Sequence, residues 1–291
     1  MRLNRFPWEG IQIRVHPLFW VVIILSLVTG QFVEVITLFV LVVIHELGHI
    51  TAAWTFEWRF RSLELLPFGG VAKTDEWGTV PAHEEIVVAL AGPFHNVMMI
   101  IIGYLFFMMG WWSEVWTTYF VQGNVMLAVF NLLPAYPLDG GKVLQAALSY
   151  RIPYRKCIVW SLSSGLLVGG GLFAWELLSP TSGMNLNLIV IAVFLLYHNW
   201  IALRQKEYQY IRFLMSRQRG KIPEYAPVIQ LPVYSDEPLI SVVKRWYKEA
   251  YHVLVVTDRE SGQVAAIPEE AVLHRYFDEG DPRCQVGELL H

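Results

Sequence analysis

Within the apolar run Val33–Trp54 the chain reads His45-Glu46-Leu47-Gly48-His49. Residues four apart share one face of an α-helix, so both imidazoles can reach a single metal ion. Glu46 lies between them, placed to take a proton from a water that the metal activates. Ionisable side chains in a membrane-length apolar segment are costly and rare, and are retained chiefly for function. A catalytic zinc site takes three protein ligands and keeps one position open, so a third ligand is required. Asp139 is the favoured one, in Asn131-Leu132-Leu133-Pro134-Ala135-Tyr136-Pro137-Leu138-Asp139-Gly140-Gly141. Pro134 and Pro137 predict a helix stop followed by extended backbone. Gly140 and Gly141 predict a sharp reversal. Irregular backbone at membrane depth occurs where it lines a cavity, which suits a ligand. His95 and His198 are rival ligands, better read as interhelical hydrogen-bonding residues. Glu34 and Glu176 fall near the outer ends of their segments.

These residues need a scaffold, and the composition says which. Of 291 residues, 55% are hydrophobic, 14% aromatic and 16% charged. Soluble domains are about 25% charged, so most of this chain is not built for water. A net charge of −3 gives no basic field for nucleic acid, which is not expected as a partner. Cys157 and Cys284 form neither a disulfide framework nor a metal site. The first apolar run follows Arg2, Arg5 and Arg14 like a signal-peptide start, but no small-residue cleavage site ends it, so a retained segment is expected.

Six segments approach the length of a spanning helix: Pro17–Gly30, Val33–Trp54, Ile86–Met109, Val115–Leu133, Ile158–Leu178 and Leu186–Leu203. With six spans, all 22 Lys and Arg fall in the N-terminus, the 55–85 and 134–157 loops and the stretch after Leu203. The positive-inside rule then puts both termini in the cytosol. Asp139 and the two histidines come out at one depth, toward the cytosolic face. Between the second and third segments, Arg61–Lys73 reads as a strand with a tight Pro67-Phe68-Gly69-Gly70 bend. Its open edge can take an extended peptide by strand addition, with Phe68, Gly69 and Gly70 contacting substrate.

At His45–His49, Pro67–Gly70, Ala91-Gly92-Pro93 with Asn96, and Asn131–Gly141, the sequence resembles the site-2 protease family of intramembrane metallopeptidases. The resemblance covers roughly residues 10–205. It implies a zinc metalloendopeptidase in which His45, His49 and Asp139 bind Zn2+, Glu46 is the general base, and Asn131 and Pro137 act on the substrate. The family's sporulation proteases are similar in size, in the His16-Pro17 start and in the tail Glu270–Phe277. That likeness implies regulated cleavage of a sigma-factor precursor, pro-sigma-K, in the mother-cell membrane around the forespore, under restraint by inhibitory membrane proteins. A metal transporter would need polar positions continuing across the membrane, and Val35–Ile44 is nearly all apolar. A catalytically inactive scaffold would not need Glu46.

Residues 204–225 read as a basic helical linker near anionic lipid. After Pro223 and Pro227 the pattern turns α/β: a helix start at Ser235–Pro238, strands at His252–Thr257 and Val264–Ile267, and a helix from Pro268 to Phe277. This order resembles one cystathionine-beta-synthase (CBS) motif, which implies ATP or another adenine nucleotide as a ligand. About 65 residues make a marginal core, so pairing into a homo-oligomer is expected. The predicted architecture is therefore an α-helical integral membrane protein. It has a six-helix bundle over residues 1–203 with a membrane-associated β-hairpin, a linker at 204–225, and a cytosolic CBS-like α/β domain at 226–291.

Overall fold

A computed structural model describes residues 12–15, 24, 27–30, 32–66, 69–74, 76–178, 185–220, 225–259 and 262–290. The chain divides into two compact units: Met1–Trp77 with Glu84–Pro134 and Leu138–Val143, and Gly78–His83 with Ala135–Pro137 and Leu144–His291.

The first unit is built on α1 (Phe32–Thr55), α2 (Ala82–Met108) and α3 (Glu114–Asn131). Predominantly apolar sequence makes α1 and α2 long enough to cross a bilayer. Ile101, Leu105 and Met108 of α2 are exposed, as a lipid-facing surface requires. Ser113 caps α3 by accepting from the Trp116 N–H. Tryptophans gather at the α2–α3 turn, where Trp112 meets Phe120 at 4.9 Å. Most of the expected first segment, Pro17–Gly30, lies outside the described residues.

Beside these helices lies a sheet of order β1-β2-β3: β1 (Gln12–Val15), β2 (Phe60–Leu66) and β3 (Gly69–Thr74). The first pair is parallel and the second antiparallel, with Leu66 opposite Gly69 and Leu65 opposite Gly70. The expected hairpin is present, and β1 is an addition to it. Phe68 lies outside the described residues. Among those residues, the outer edge of β3 is unpaired.

Asp139 opens α4 (Asp139–Ser149). Here Gly140 and Gly141 make no reversal; they form the first helical turn. The need for glycine at 140 is close approach, since a Cβ there would collide with the Leu132 carbonyl.

The second unit holds α5 (Tyr154–Leu178) and α6 (Leu186–Arg204), both also long and apolar enough to span. Gly165 faces Asn199 while Gly169 faces Ala192 and Leu196, so the two helices run antiparallel in close contact. The expected linker contains α7 (Lys206–Gln218), which is not a solvated helix: Tyr210, Phe213, Leu214 and Arg217 are buried. They join one core with Tyr154, Ile158 and Leu162 of α5 and the apolar face of the α/β segment.

That segment comprises β4 (Val228–Tyr234), α8 (Leu239–Val243), β5 (Tyr251–Thr257), β6 (Val264–Pro268), α9 (Glu269–Phe277) and a 3-10 turn at Val286–Leu290. β5 is central, parallel to β4 and antiparallel to β6. Leu231, Val233, Leu254, Val256 and Ile267 face the core, whereas Val228, Tyr234 and Val264 are exposed. β4 is the one strand of this sheet the sequence pattern did not announce. Pro232 lies inside it, tolerated because β4 is an edge.

Candidate metal centre

α1 carries His45 and His49 buried on one face, with Glu46 half-buried between them. Asp139, also buried, arrives from the start of α4. Its Oδ2 is 3.2 Å from His45 Nε2 and 3.1 Å from His49 Nε2, and the two Nε2 atoms are 3.2 Å apart.

The far side of each ring fixes its orientation. His49 Nδ1 is 2.7 Å from the Val88 carbonyl oxygen, and His45 Nδ1 is 2.6 Å from Asn96 Oδ1. Both partners are acceptors, so both Nδ1 atoms donate, and a neutral ring then keeps its lone pair on Nε2. With both rings neutral, two lone pairs and a carboxylate oxygen face one another. Such a trio is repulsive until a cation sits at its centre. A tetrahedral zinc with ligand bonds of about 2.0–2.1 Å has donor–donor edges of about 3.3 Å, which these spacings fit. Among the described residues, no other group of three His, Cys, Asp or Glu side chains converges this way.

Two further features make room and set charge. A Cβ on Gly92 would fall on the His49 imidazole and within 2.7 Å of His45 Cε1. A Cβ on Gly48 would come within 2.7 Å of the Ala91 carbonyl oxygen. Glycine at both positions lets α1 and α2 cross closely enough for α2 to support both rings. Lys142, one turn along α4, bonds Asp139 Oδ1 at 3.0 Å and lies over the Trp77 ring at 4.8 Å. It occupies one carboxylate oxygen and leaves Oδ2 turned toward the imidazoles. Glu46 lies within electrostatic range of His49, Lys142, His45 and Asp139.

The profile of Peptidase family M50 matches residues 33–116 and 108–169. Stage IV sporulation protein FB of Bacillus subtilis (strain 168) is 31% identical over 289 residues, 99% of each chain. A zinc metalloprotease of Methanocaldococcus jannaschii is 34% identical over 207 residues, 67% of this chain and 58% of that protein. The solved structure of a site-2 protease from the same archaeon matches with a TM-score of 0.53 and 32% identity, covering 70% of this chain and 94% of that one. The chain belongs to peptidase family M50, the site-2 proteases. It is a metalloprotease and a multi-pass integral membrane protein.

Within this M50 protease the converging group includes neither rival ligand. His95 Nδ1 bonds the Ala91 carbonyl of its own helix at 2.8 Å. His198 lies in the second unit, with its ring 4.3 Å from Phe194. Glu34 is in the first turn of α1, and Glu176 accepts from the Asn185 N–H beyond α5. Of the expected substrate residues, Asn131 ends α3 and donates to the Leu127 carbonyl at 3.0 Å. Pro137 follows a cis peptide bond, in the second unit. Gly69 and Gly70 open β3. Val88, Lys142 and Asn124 went unnoticed in the sequence. Asn124 was detectable, as a buried amide in an apolar segment; Lys142 lies three residues beyond Asp139, a helical spacing. Val88 acts through its backbone and leaves no mark in residue type.

Proposed function

We propose that this M50 protease is an intramembrane zinc metalloendopeptidase that performs regulated proteolysis near the cytosolic membrane face. His45 Nε2, His49 Nε2 and Asp139 Oδ2 hold the ion. One observation carries this reading: three buried ligand atoms from two histidines and an aspartate converge within 3.2 Å of one another. Bound zinc supplies Lewis acidity, which polarises a carbonyl and acidifies a coordinated water. Glu46, on the turn between the two histidines, accepts the proton of the attacking water and returns it to the leaving amine. Lys142 holds Asp139 in place as this charge moves.

The substrate must be unwound, because helical carbonyls are hidden in i to i+4 hydrogen bonds. The edge of β3 that is unpaired among the described residues offers backbone partners for an extended segment, with Phe68, Gly69 and Gly70 assigned as substrate contacts. Asn131 and Pro137 are assigned to the substrate on the same reading. The substrate class is the precursor of a sporulation sigma factor of the pro-sigma-K kind. Similarity to a sporulation protein, 31% identical over 99% of the chain, supports it. On this reading the six spans of residues 1–203 put both termini in the cytosol, on the mother-cell side of the forespore outer membrane, and inhibitory membrane proteins restrain the enzyme. Residues 226–291 serve as a CBS-like regulatory domain for an adenine nucleotide such as ATP. Its uncovered strand face, with Val228, Tyr234 and Val264 exposed, pairs in a homo-oligomer.

The test is purified protein, wild type beside Glu46→Gln, incubated with the precursor. The variant should retain zinc and lose about 10²–10⁴-fold in rate. Equal cleavage by both would remove Glu46 as base. Cleavage by neither would reject this precursor.

A further inference from the structure

The bond between His45 Nδ1 and Asn96 Oδ1 has its direction set from a third helix. An amide side chain can present either its oxygen or its nitrogen, and only the oxygen accepts from an imidazole N–H. Asn96, fully buried on α2, donates from Nδ2 to Asn124 Oδ1 on α3 at 3.0 Å. Asn124, equally buried, donates from its own Nδ2 to the Phe120 carbonyl at 2.9 Å. A backbone carbonyl can only accept, so the Asn124 nitrogen must point to it. The Asn124 oxygen then faces Asn96 and demands a donor there, which turns the Asn96 oxygen to His45. Every link has one allowed orientation, and the chain ends on the ring nitrogen opposite the metal-facing Nε2.

We propose that Asn96 and Asn124 are positioning residues of the zinc site: a directional amide relay, anchored on the Phe120 carbonyl, that fixes the tautomer and orientation of His45. His49 needs no such relay, because the Val88 carbonyl has no alternative orientation. The proposal rests on the reading of His45, His49 and Asp139 as the zinc ligands. Outer partners of metal-bound histidines typically contribute 10–100-fold in metal affinity.

The test measures metal retention, not cleavage. Full-length protein in detergent is titrated with a chelator, and bound zinc is quantified for wild type, His45→Ala, Asn96→Leu, Asn96→Asp, Asn124→Leu and Asn96→Asp/Asn124→Leu. Elution volume and helical circular dichroism check folding. Asn96→Leu should weaken retention 10–100-fold. Asn96→Asp should stay within a few-fold of wild type, because either carboxylate oxygen accepts from Nδ1. Asn124→Leu should weaken retention on its own and have no further effect when combined with Asn96→Asp, since a carboxylate needs no orienting. A purely structural role for Asn124 predicts the same loss in both backgrounds, and that result would overturn the relay. So would wild-type retention by Asn96→Leu beside loss in His45→Ala. Retention by His45→Ala would instead defeat the ligand assignment itself. If Asn96→Leu does not fold, the Asn124→Leu comparison with and without Asn96→Asp still decides.

Discussion

At the scale of single residues the site is a problem in charge compensation. Two imidazoles and one carboxylate converge, with Lys142 on the other carboxylate oxygen. Asp139 therefore carries the one formal negative charge among the three donors. Asp139→Asn keeps the shape and removes that charge, and its amide nitrogen can turn a donor toward the ion. Zinc retention against a chelator should fall at least tenfold and cleavage should be lost; wild-type zinc content after the same treatment would show that the carboxylate is not a ligand. His45, Glu46 and His49 were legible in the sequence because one helix carries all three, so spacing alone fixes their relation. Asp139 was legible because an acid between apolar runs has few other reasons to be there. The bonds behind the rings were not legible, although Asn96 and Asn124 stand out as amides in apolar segments. Val88 serves through a backbone carbonyl, and Asn96 and Asn124 depend on how α1, α2 and α3 cross.

At the scale of elements the same centre is a problem in helix crossing. α2 approaches α1 at Gly48 and Gly92, and a methyl group at Gly92 has no room beside His49 and His45. Gly92→Ala should therefore cost zinc retention and activity together, with the helical circular dichroism unchanged, because one carbon pushes the imidazoles and not the fold. A fully loaded and active Gly92→Ala protein would mean that α1 and α2 can separate at this point. β3 answers to a different test. If its free edge takes the substrate, Gly69→Val and Gly70→Val should lower cleavage about tenfold, some 1.4 kcal/mol of transition-state binding, with zinc untouched. Equal loss of zinc would make the bend structural instead. The long apolar helices and the hairpin were readable because hydrophobic period and Gly/Pro punctuation report local structure. The start of α4 departs from the expected reversal, because two adjacent glycines look like a turn; Gly140 is needed where the helix presses on the Leu132 carbonyl. β4 was missed because Pro232 argues against a strand and only its edge position permits one.

At the scale of the whole molecule the basic stretch after the last apolar helix proves to be part of a core. Arg217 of α7 is buried; it bonds the carbonyl of Lys248 and, at 2.9 Å, that of Ala250. Its guanidinium also approaches Glu269, whose Oε2 accepts from both the backbone N–H and Nδ1 of His252 at 3.0 Å. Charge spacing in the sequence does not reveal such a network, since a buried arginine and a solvated one look alike. His252 is held neutral on two counts. Burial depresses its pKa below the ordinary histidine value, and the Tyr247 N–H donates to its Nε2 at 2.9 Å, leaving no place for a second proton. The sign follows. Below about pH 6.5 the unfolded chain takes up a proton that the folded chain refuses, so stability is full above that pH and falls as pH drops toward the depressed folded value, by at most about 1.4 kcal/mol per pH unit for one group. Thermal unfolding of the intact protein between pH 7.5 and pH 5.5 should show the melting temperature dropping on the acid side. His252→Gln should be less stable at pH 7.5 and flatter across the range, because it has no proton to gain. An unaltered slope in that variant would assign the acid sensitivity to other groups and remove His252 as its source.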